Sequence, residues 1–362
     1  MVKTAVYSIC KNEIKHIERW VNATQGADYR IVVDTGSTDG SQEKLRELGV
    51  TVYQLHLEPF RFDDARNVAL NLLPADADVC VILDMDEVPA PDFFKIVKYG
   101  WQPNWDSAWI TMETAPNRWQ RDRLHSRNGW RWKYPCHEVN VWYKQGEPTY
   151  GDLSKAVITH MPDNSKSRGH YLEKLQMAVR ELPHDARMNS YLTREYFFNA
   201  KWDEVIASAN TMLECTPAWD VEQAACCRWA AEACRQLGRK EEATSWVDRG
   251  TSILPHEGEP WFYVSMDAYI NQDWEKCLDA SLKVLELPRS THYCYEAEVW
   301  DWKAYDLASI ASYNLKHIDE AIVFAQHAAE ANGPETERIV RNLDFFRKVS
   351  NDLQSRNQGS QV

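Results

Sequence analysis

The residues with the clearest chemical potential are Asp84 and Asp86, at the end of the run Val79-Cys80-Val81-Ile82-Leu83-Asp84-Met85-Asp86-Glu87. The apolar stretch, rich in β-branched types, reads as a strand buried on both faces. In an extended chain residues i and i+2 point the same way, so the spacing predicts two carboxylates facing one small volume. Carboxylates so placed, at the carboxyl end of a parallel strand, suit a hard divalent cation that also holds phosphate oxygens. A solvated strand end with acidic turn residues before Pro89 would use the same letters. The elements around the pair have to decide between the two.

Those elements read as alternating strands and helices. Lys3 to Cys10 reads as a first strand, followed by Ile14, Ile17, Trp20 and Val21 at helical spacing. Arg30 to Asp34 forms a second strand and runs into the glycine- and hydroxyl-rich loop Thr35-Gly36-Ser37-Thr38-Asp39-Gly40-Ser41. A helix carrying Leu45 and Leu48 comes next, then a third strand over Val50 to Leu57 and a helix opened by Asp63-Asp64-Ala65-Arg66-Asn67. This order predicts an α/β domain with right-handed βαβ units and a mostly parallel sheet, whose ligands bind at the carboxyl ends of the strands. Asp34, the Gly36 loop, Asp84 and Asp86 all fall at that edge. No Walker A sequence and no G-x-G-x-x-G follows the first strand, which disfavours a P-loop kinase or a dinucleotide dehydrogenase.

From Trp101 to His160 aromatics and arginines interleave in short strand-like pieces. Arg118, Arg121, Arg123, Arg127, Arg131 and Lys133 face only Asp122 between residues 118 and 133, a local basic excess in a chain of formal net charge −13. It suits a cradle for a diphosphate or an anionic acceptor, and equally a solvated antiparallel ribbon. The overall acidity disfavours a general affinity for nucleic acid or anionic lipid. With 44% hydrophobic and 26% charged residues, the composition is that of a soluble globular protein. No apolar run is long enough to span a bilayer and no secretory leader is evident. The nine cysteines, with no C-x-x-C among them, read as buried free thiols in a reducing cytoplasm rather than a zinc site.

From about Lys174 the pattern becomes helical and repetitive. Asn199-Ala200-Lys201-Trp202-Asp203-Glu204, Leu237-Gly238-Arg239-Lys240-Glu241-Glu242, Asn271-Gln272-Asp273-Trp274-Glu275 and Leu315-Lys316-His317-Ile318-Asp319-Glu320 each read as a helix end, a short polar turn and a second helix. Spacings of about 34 to 44 residues resemble irregular tetratricopeptide repeats in about four copies. Such helices offer a surface for an acceptor, a partner protein or a second copy, or serve only as a scaffold. The expected division is an α/β domain over 1–165, an all-α repeat domain over 166–350, and a disordered tail over 351–362.

Four stretches, in order and spacing, resemble family 2 glycosyltransferases: Ser8-Ile9-Cys10-Lys11-Asn12-Glu13, Val33-Asp34 with its glycine loop, Phe62-Asp63-Asp64-Ala65-Arg66-Asn67, and Leu83-Asp84-Met85-Asp86-Glu87. The subgroup with a His-Glu element is closest, matched here by His137-Glu138 and a downstream His160. Members with tetratricopeptide-like helices after the catalytic domain are known. The resemblance implies a GT-A fold and transfer from a nucleotide-diphosphate sugar, UDP by family habit, with inversion at the anomeric carbon. It implies donor contacts from Asn12, Glu13, Asp34, Asp39, Arg66 and Asp84. A Mn²⁺ or Mg²⁺ ion would be held by Asp86, Asp84 and His160. Glu138 would be the base, with His137 orienting it or taking its place, and Glu87 its rival. Arg123, Arg131, Trp132 and Glu87 would be acceptor or diphosphate contacts. The acceptor stays open among a glycan or glycolipid, a protein side chain and a hydroxymethylated DNA base, and a repeat-mediated binding protein with an inactive first domain is the other class of reading.

Overall fold

A computed structural model describes residues 2–163 and 171–359 of the chain, with contacts dividing it into two compact units, Met1–Ala178 and Val179–Val362. The boundary expected at 165 thus falls further along, inside the helix α5 (Tyr171–Glu181).

The first unit is built on one eight-stranded sheet. Its first half is parallel: β1 (Thr4–Cys10) lies between β2 (Tyr29–Asp34) and β4 (Val79–Ile82), with β3 (Thr51–Gln54) outside β2. The other half is mixed. β7 (Asn117–Ser126) runs antiparallel to β4, then come β6 (Ser107–Thr114), β10 (Tyr150–His160) and the short β5 (Glu87–Pro89). β8 (Trp130–Lys133) and β9 (Val139–Trp142) form a separate ribbon. Strand alternation sorts the core into two layers. Val6, Val32, Val79 and Val81 pack with Ile17 and Trp20 of α1 (Ile14–Ala23), Leu45 of α2 (Ser41–Glu47) and Phe93 of α4 (Phe93–Gly100). Ala5, Tyr7, Ile31, Val33, Cys80 and Ile82 pack on the opposite face with Ala69 and Leu70 of α3 (Phe62–Asn71) and with Trp132.

One local expectation is corrected at the strand that carries the carboxylates. All four residues of β4 are buried, as its apolar run requires, but the strand stops at Ile82. The Glu87 amide donates to the Asp84 carbonyl at 3.0 Å, so residues 84–87 form a tight turn rather than an extended end. The same-side rule for i and i+2 therefore does not govern Asp84 and Asp86.

In the second unit helices pair as α6 (Ala186–Phe198) with α7 (Trp202–Glu214), α8 (Asp220–Gln236) with α9 (Lys240–Ile253), α10 (Gly258–Ile270) with α11 (Trp274–Glu286), and α12 (Ala304–Asn314) with α13 (Ile318–Glu330). A π-helical turn, Val299–Lys303, leads into α12, and α14 (Thr336–Gly359) packs on α13. Helix α14 runs through much of the stretch expected to be disordered, while 360–362 lie outside the described residues. The turn inside every pair is the same object. Ala200, Gly238, Gln272 and Lys316 all adopt left-handed φ, between 52° and 72°. In each case the next amide reaches back to the carbonyl five residues earlier, as Lys201 does to Tyr196 at 3.0 Å and Arg239 to Cys234 at 2.8 Å. This is the Schellman closure, which satisfies carbonyls the helix end would leave unpaired. The nine cysteines are free thiols, eight of them buried.

At Gly238 an added Cβ meets no atom within 4 Å, so substitution there strains only the backbone. Gly238→Ala is expected to lower unfolding free energy by about 1 kcal/mol. Urea denaturation followed by circular dichroism measures it, and an unchanged midpoint would contradict the left-handed closure.

Candidate active site

The carboxyl edge of the sheet first carries two loops stitched together by short polar side chains. Asp34, fully buried at the end of β2, accepts from the amides of Gly36 at 3.0 Å and Ser37 at 2.9 Å, from the Ser37 hydroxyl, and from Gln42 Nε2 at 2.8 Å. Gly36 sits at φ +105°, a conformation only glycine adopts cheaply, and this lets the loop fold back over the carboxylate. Asp39 accepts from the Ile14 amide at 3.1 Å, joining the second loop to the start of α1, and binds the Ser41 amide and hydroxyl with its other oxygen. Asn12 accepts from the Thr38 amide at 2.8 Å, while its own amide donates to the Ser37 hydroxyl, and the Glu13 amide donates to that of Ser41. The side chains of Asp34, Asp39 and Asn12 and the Glu13 backbone thus shape the two loops, and the Asp34 carboxylate is occupied in doing so.

Beside these loops lies a buried ionic cluster. The Arg66 guanidinium, projected from α3, donates from Nε to Glu138 Oε1 at 2.7 Å. Its Nη1 stands 2.9 Å from Asp84 Oδ1, close enough for an ion pair though off the line of a hydrogen bond. Arg123 on β7 pairs with Glu87 and stands 3.7 Å from Asp84. Glu87 uses its other oxygen to accept the Asp84 amide at 2.9 Å, so both its oxygens are engaged and it is 2% exposed. Burial alone would raise the Asp84 carboxyl, but Arg66 and Arg123 hold it down, to about 2. Glu87 goes the other way: burial raises it despite Arg123.

Asp86 turns elsewhere. Its carboxylate stands 3.3 Å from His160 Nε2, and its carbonyl accepts the Met161 amide at 2.8 Å. The side-chain contact with the Asp86 carboxylate raises the His160 imidazole above its ordinary range. The two Asp carboxylates expected to share one volume therefore serve different partners, because the turn over 84–87 separates them. Both Asp86 and His160 are partly open to solvent, and a cavity of about 600 Å³ beside them is lined by Lys15, His16, Arg19, Thr114 and Thr159. Among the described residues no three His, Cys, Asp or Glu side chains gather closely enough to hold a metal by themselves. A cation of the Mg²⁺ kind takes one or two protein ligands and completes its shell with water and substrate phosphates. Asp86 and His160 fit that requirement. Asp84, held by two guanidiniums, fits it poorly.

The ribbon places the remaining expected residues apart. Trp132 is buried, with Arg66 4.8 Å above its ring, whereas Arg131 alternates to the exposed side and joins none of these groups. His137 adopts φ +50° and stacks on Tyr171 with ring centroids 5.3 Å apart. Three residues lacked an assigned role in the sequence reading. Asn67 exchanges two hydrogen bonds with the Trp132 backbone, at 2.9 and 2.8 Å, and fixes the ribbon to α3. The Trp132 indole donates to the Tyr7 hydroxyl at 3.0 Å, and that hydroxyl lies 2.9 Å from His125 Nε2. Asn67 lay inside a recognised motif. Tyr7 and His125 carried no signal beyond being polar residues in apolar strands.

Residues 6–158 match the model described as "Glycosyl transferase family 2". Over these residues the first domain is similar to family 2 glycosyltransferases. The match stops short of the helical repeats, and no curated protein matches the chain. Similar solved structures include MamA, at 14% identity over 44% of this chain and 86% of that one, with a TM-score of 0.37. YrrB, described as a TPR protein with an unusual peptide-binding site, has 14% identity over 50% and 85% of the two chains and a TM-score of 0.40. A thermophilic TPR protein in Thermus thermophilus has 16% identity over 48% and 87%, with a TM-score of 0.35. No described helix of this chain is long and apolar enough to cross a membrane.

Burial pushes the His125 imidazole down to about 4. The unfolded chain takes up a proton near the ordinary histidine value of about 6.5, which the folded one refuses until about 4. This contribution is therefore complete above the upper value and lost as pH falls through that window, by roughly 3 kcal/mol. Urea midpoints between pH 7 and pH 4 are expected to fall more steeply for the native sequence than for His125→Gln, which cannot titrate. Equal slopes would remove His125 from the account.

Proposed function

We propose that the first domain is a metal-dependent, inverting glycosyltransferase that takes a sugar from a nucleotide-diphosphate donor, a UDP-sugar by preference. The observation that carries this reading is the placing of Asp86 with His160, and of Glu138 with Arg66, in a domain of the family 2 type. The loops organised by Asp34, Asp39, Asn12 and Glu13 offer the bed for the nucleoside. Asp86 and His160 would hold Mn²⁺ or Mg²⁺, which supplies charge neutralisation for the departing diphosphate.

Inversion is a single displacement. The acceptor oxygen forms a bond to the anomeric carbon, the bond from that carbon to the diphosphate oxygen breaks, and the electron pair leaves with the diphosphate. The acceptor proton must go to a base on the opposite face of the sugar. Glu138 suits this task better than Glu87. One Glu138 oxygen is held by Arg66, which fixes its orientation, and the other has no partner among the described residues. Both Glu87 oxygens are taken, and its role here is to hold Arg123 and the Asp84 turn. His137, stacked on Tyr171, borders Glu138 in sequence and helps set its loop. The cavity beside His160, with Lys15 and Arg19 on its wall, gives room for a hydroxyl-bearing glycan or glycolipid acceptor. The repeat domain would act as an acceptor or partner surface.

Asp86→Ala is expected to abolish metal-dependent nucleotide binding in calorimetry while leaving the circular dichroism spectrum unchanged, and full transfer activity in it would refute the assigned metal ligand. Glu138→Gln is expected to bind donor within about twofold of the native protein and to lose transfer by on the order of 100-fold or more. Loss of donor binding instead would take Glu138 out of the base role.

A further inference from the structure

Beneath the ionic cluster lies a chain of polar groups that no step above uses. Trp132 supplies the surface on which the Arg66 guanidinium rests, with 4.8 Å between guanidinium carbon and ring centroid. The ring is held from two sides. Asn67 fixes its backbone, and the Tyr7 hydroxyl receives its indole N–H at 3.0 Å. Direction then follows from donor and acceptor inventory alone. An indole N–H can only donate, so the Tyr7 oxygen accepts from it and sends its own proton to His125 Nε2, 2.9 Å away. That requires the His125 tautomer with its proton on Nδ1, which donates to the Ser126 carbonyl at 2.8 Å. Tyr7 and His125 are 0% and 1% exposed, and the chain ends on a backbone group with every member satisfied.

We infer that Tyr7 and His125 are positioning residues for sugar transfer: through the Trp132 indole they fix the height and tilt of the ring under Arg66. Arg66 in turn sets the relative placing of Asp84 and Glu138. This inference rests on the glycosyl-transfer reading for its kinetic consequences. It assigns a function to the polar groups of Tyr7 and Trp132, sunk in a largely aliphatic layer, and to the buried His125 beside them. A polar chain in such a layer is worse than an apolar one unless it is complete, and completeness here specifies a single ring orientation. Among the described residues neither Tyr7 nor His125 hydrogen-bonds to Asp84, Asp86, Glu138 or His160, so their effect must pass through Trp132 and Arg66.

The test uses the full chain with Tyr7→Phe, Trp132→Phe and the double variant. Both substitutions keep a ring and break the indole–hydroxyl bond; Tyr7→Phe also frees His125 Nε2, and Trp132→Phe also narrows the surface under Arg66. Donor hydrolysis and transfer are measured with the nucleotide sugar that the native protein turns over, with Mn²⁺ present. The expected result is a fall in kcat on the order of tenfold for each single variant, with donor KM within about twofold. The double variant should be no slower than about twofold below the slower single one, because both remove the same link. Multiplicative losses, or an unchanged kcat in Tyr7→Phe, would overturn the inference while leaving the transferase reading in place. A readout independent of turnover is the ¹⁵N spectrum of the His125 ring. It should show the Nδ1–H tautomer at neutral pH in the native protein and a shifted Nε2 resonance in Tyr7→Phe. The opposite tautomer would overturn the inference even if no nucleotide sugar is turned over. Should Tyr7→Phe fail to fold, Trp132→Phe decides the kinetic question alone. Should the native protein bind and hydrolyse no nucleotide sugar, the transferase reading fails and the kinetic role falls with it.

Discussion

A guanidinium out of contact with water must have its charge matched, and the first domain is organised around that demand at Arg66. Its partners come from chain positions far apart: Asp84 from the turn after β4 and Glu138 from the loop before β9. Leaving either carboxylate out would strand a buried charge, a far larger penalty than the modest net gain of the pair itself. The ion bridge therefore acts chiefly as a registration device. It ensures that helix α3, the carboxylate turn and the β8–β9 ribbon reach one point together. Arg123 repeats the logic one layer over, tying β7 to Glu87 and, more loosely, to Asp84. Asp84 is thus held by two cations and kept ionised, while Asp86, two residues on, stands beside His160, which lines the open cavity.

Much of this was legible in the sequence. Apolar runs of four to six residues separated by helical patterns specify a βαβ sheet, because that order lets the intervening helices cover both faces of the strands. The carboxyl edge followed from topology, and so did the gathering of Asp34, Asp84 and Asp86 along it. The places of the internal turns in the helical repeats were legible too, but not their left-handed closure, which falls on Ala200 as well as on Gly238. What the sequence could not reveal was the direction of side chains set by tertiary hydrogen bonds. The same-side rule for Asp84 and Asp86 assumed an extended backbone, and a single amide, that of Glu87, turns the chain away from it. Trp132 and Arg123 read as surface contacts because they sit in a basic, aromatic stretch, yet packing against α3 and β4 buries them. Periodicity reports which face a residue takes, and it cannot report which distant helix covers that face.

The two carboxylate-bearing loops differ in kind from the ionic cluster. Asp34 and Asp39 are matched mostly by backbone amides and hydroxyls, neutral donors contributed within a few residues, so those loops are shaped locally. The cluster around Arg66 and Arg123 is shaped globally. A domain that has formed its strands but not docked its ribbon would keep the first arrangement and lack the second. On the proposed reading, donor binding and transfer would be assembled at these two different levels of the fold.

The helical unit has a consequence for how its length can change. Within each pair the turn is fixed by one left-handed residue and two backbone hydrogen bonds, so adding or deleting a residue there breaks the closure. Between pairs the links run over 215–219, 254–257 and 287–298, of unequal length and free of that rule. Doubling such a link costs only about 0.6 kcal/mol in closure entropy. Insertions are therefore tolerated between pairs and excluded within them, which makes the pair, rather than the helix, the unit by which this domain can be lengthened, permuted or fitted with new segments.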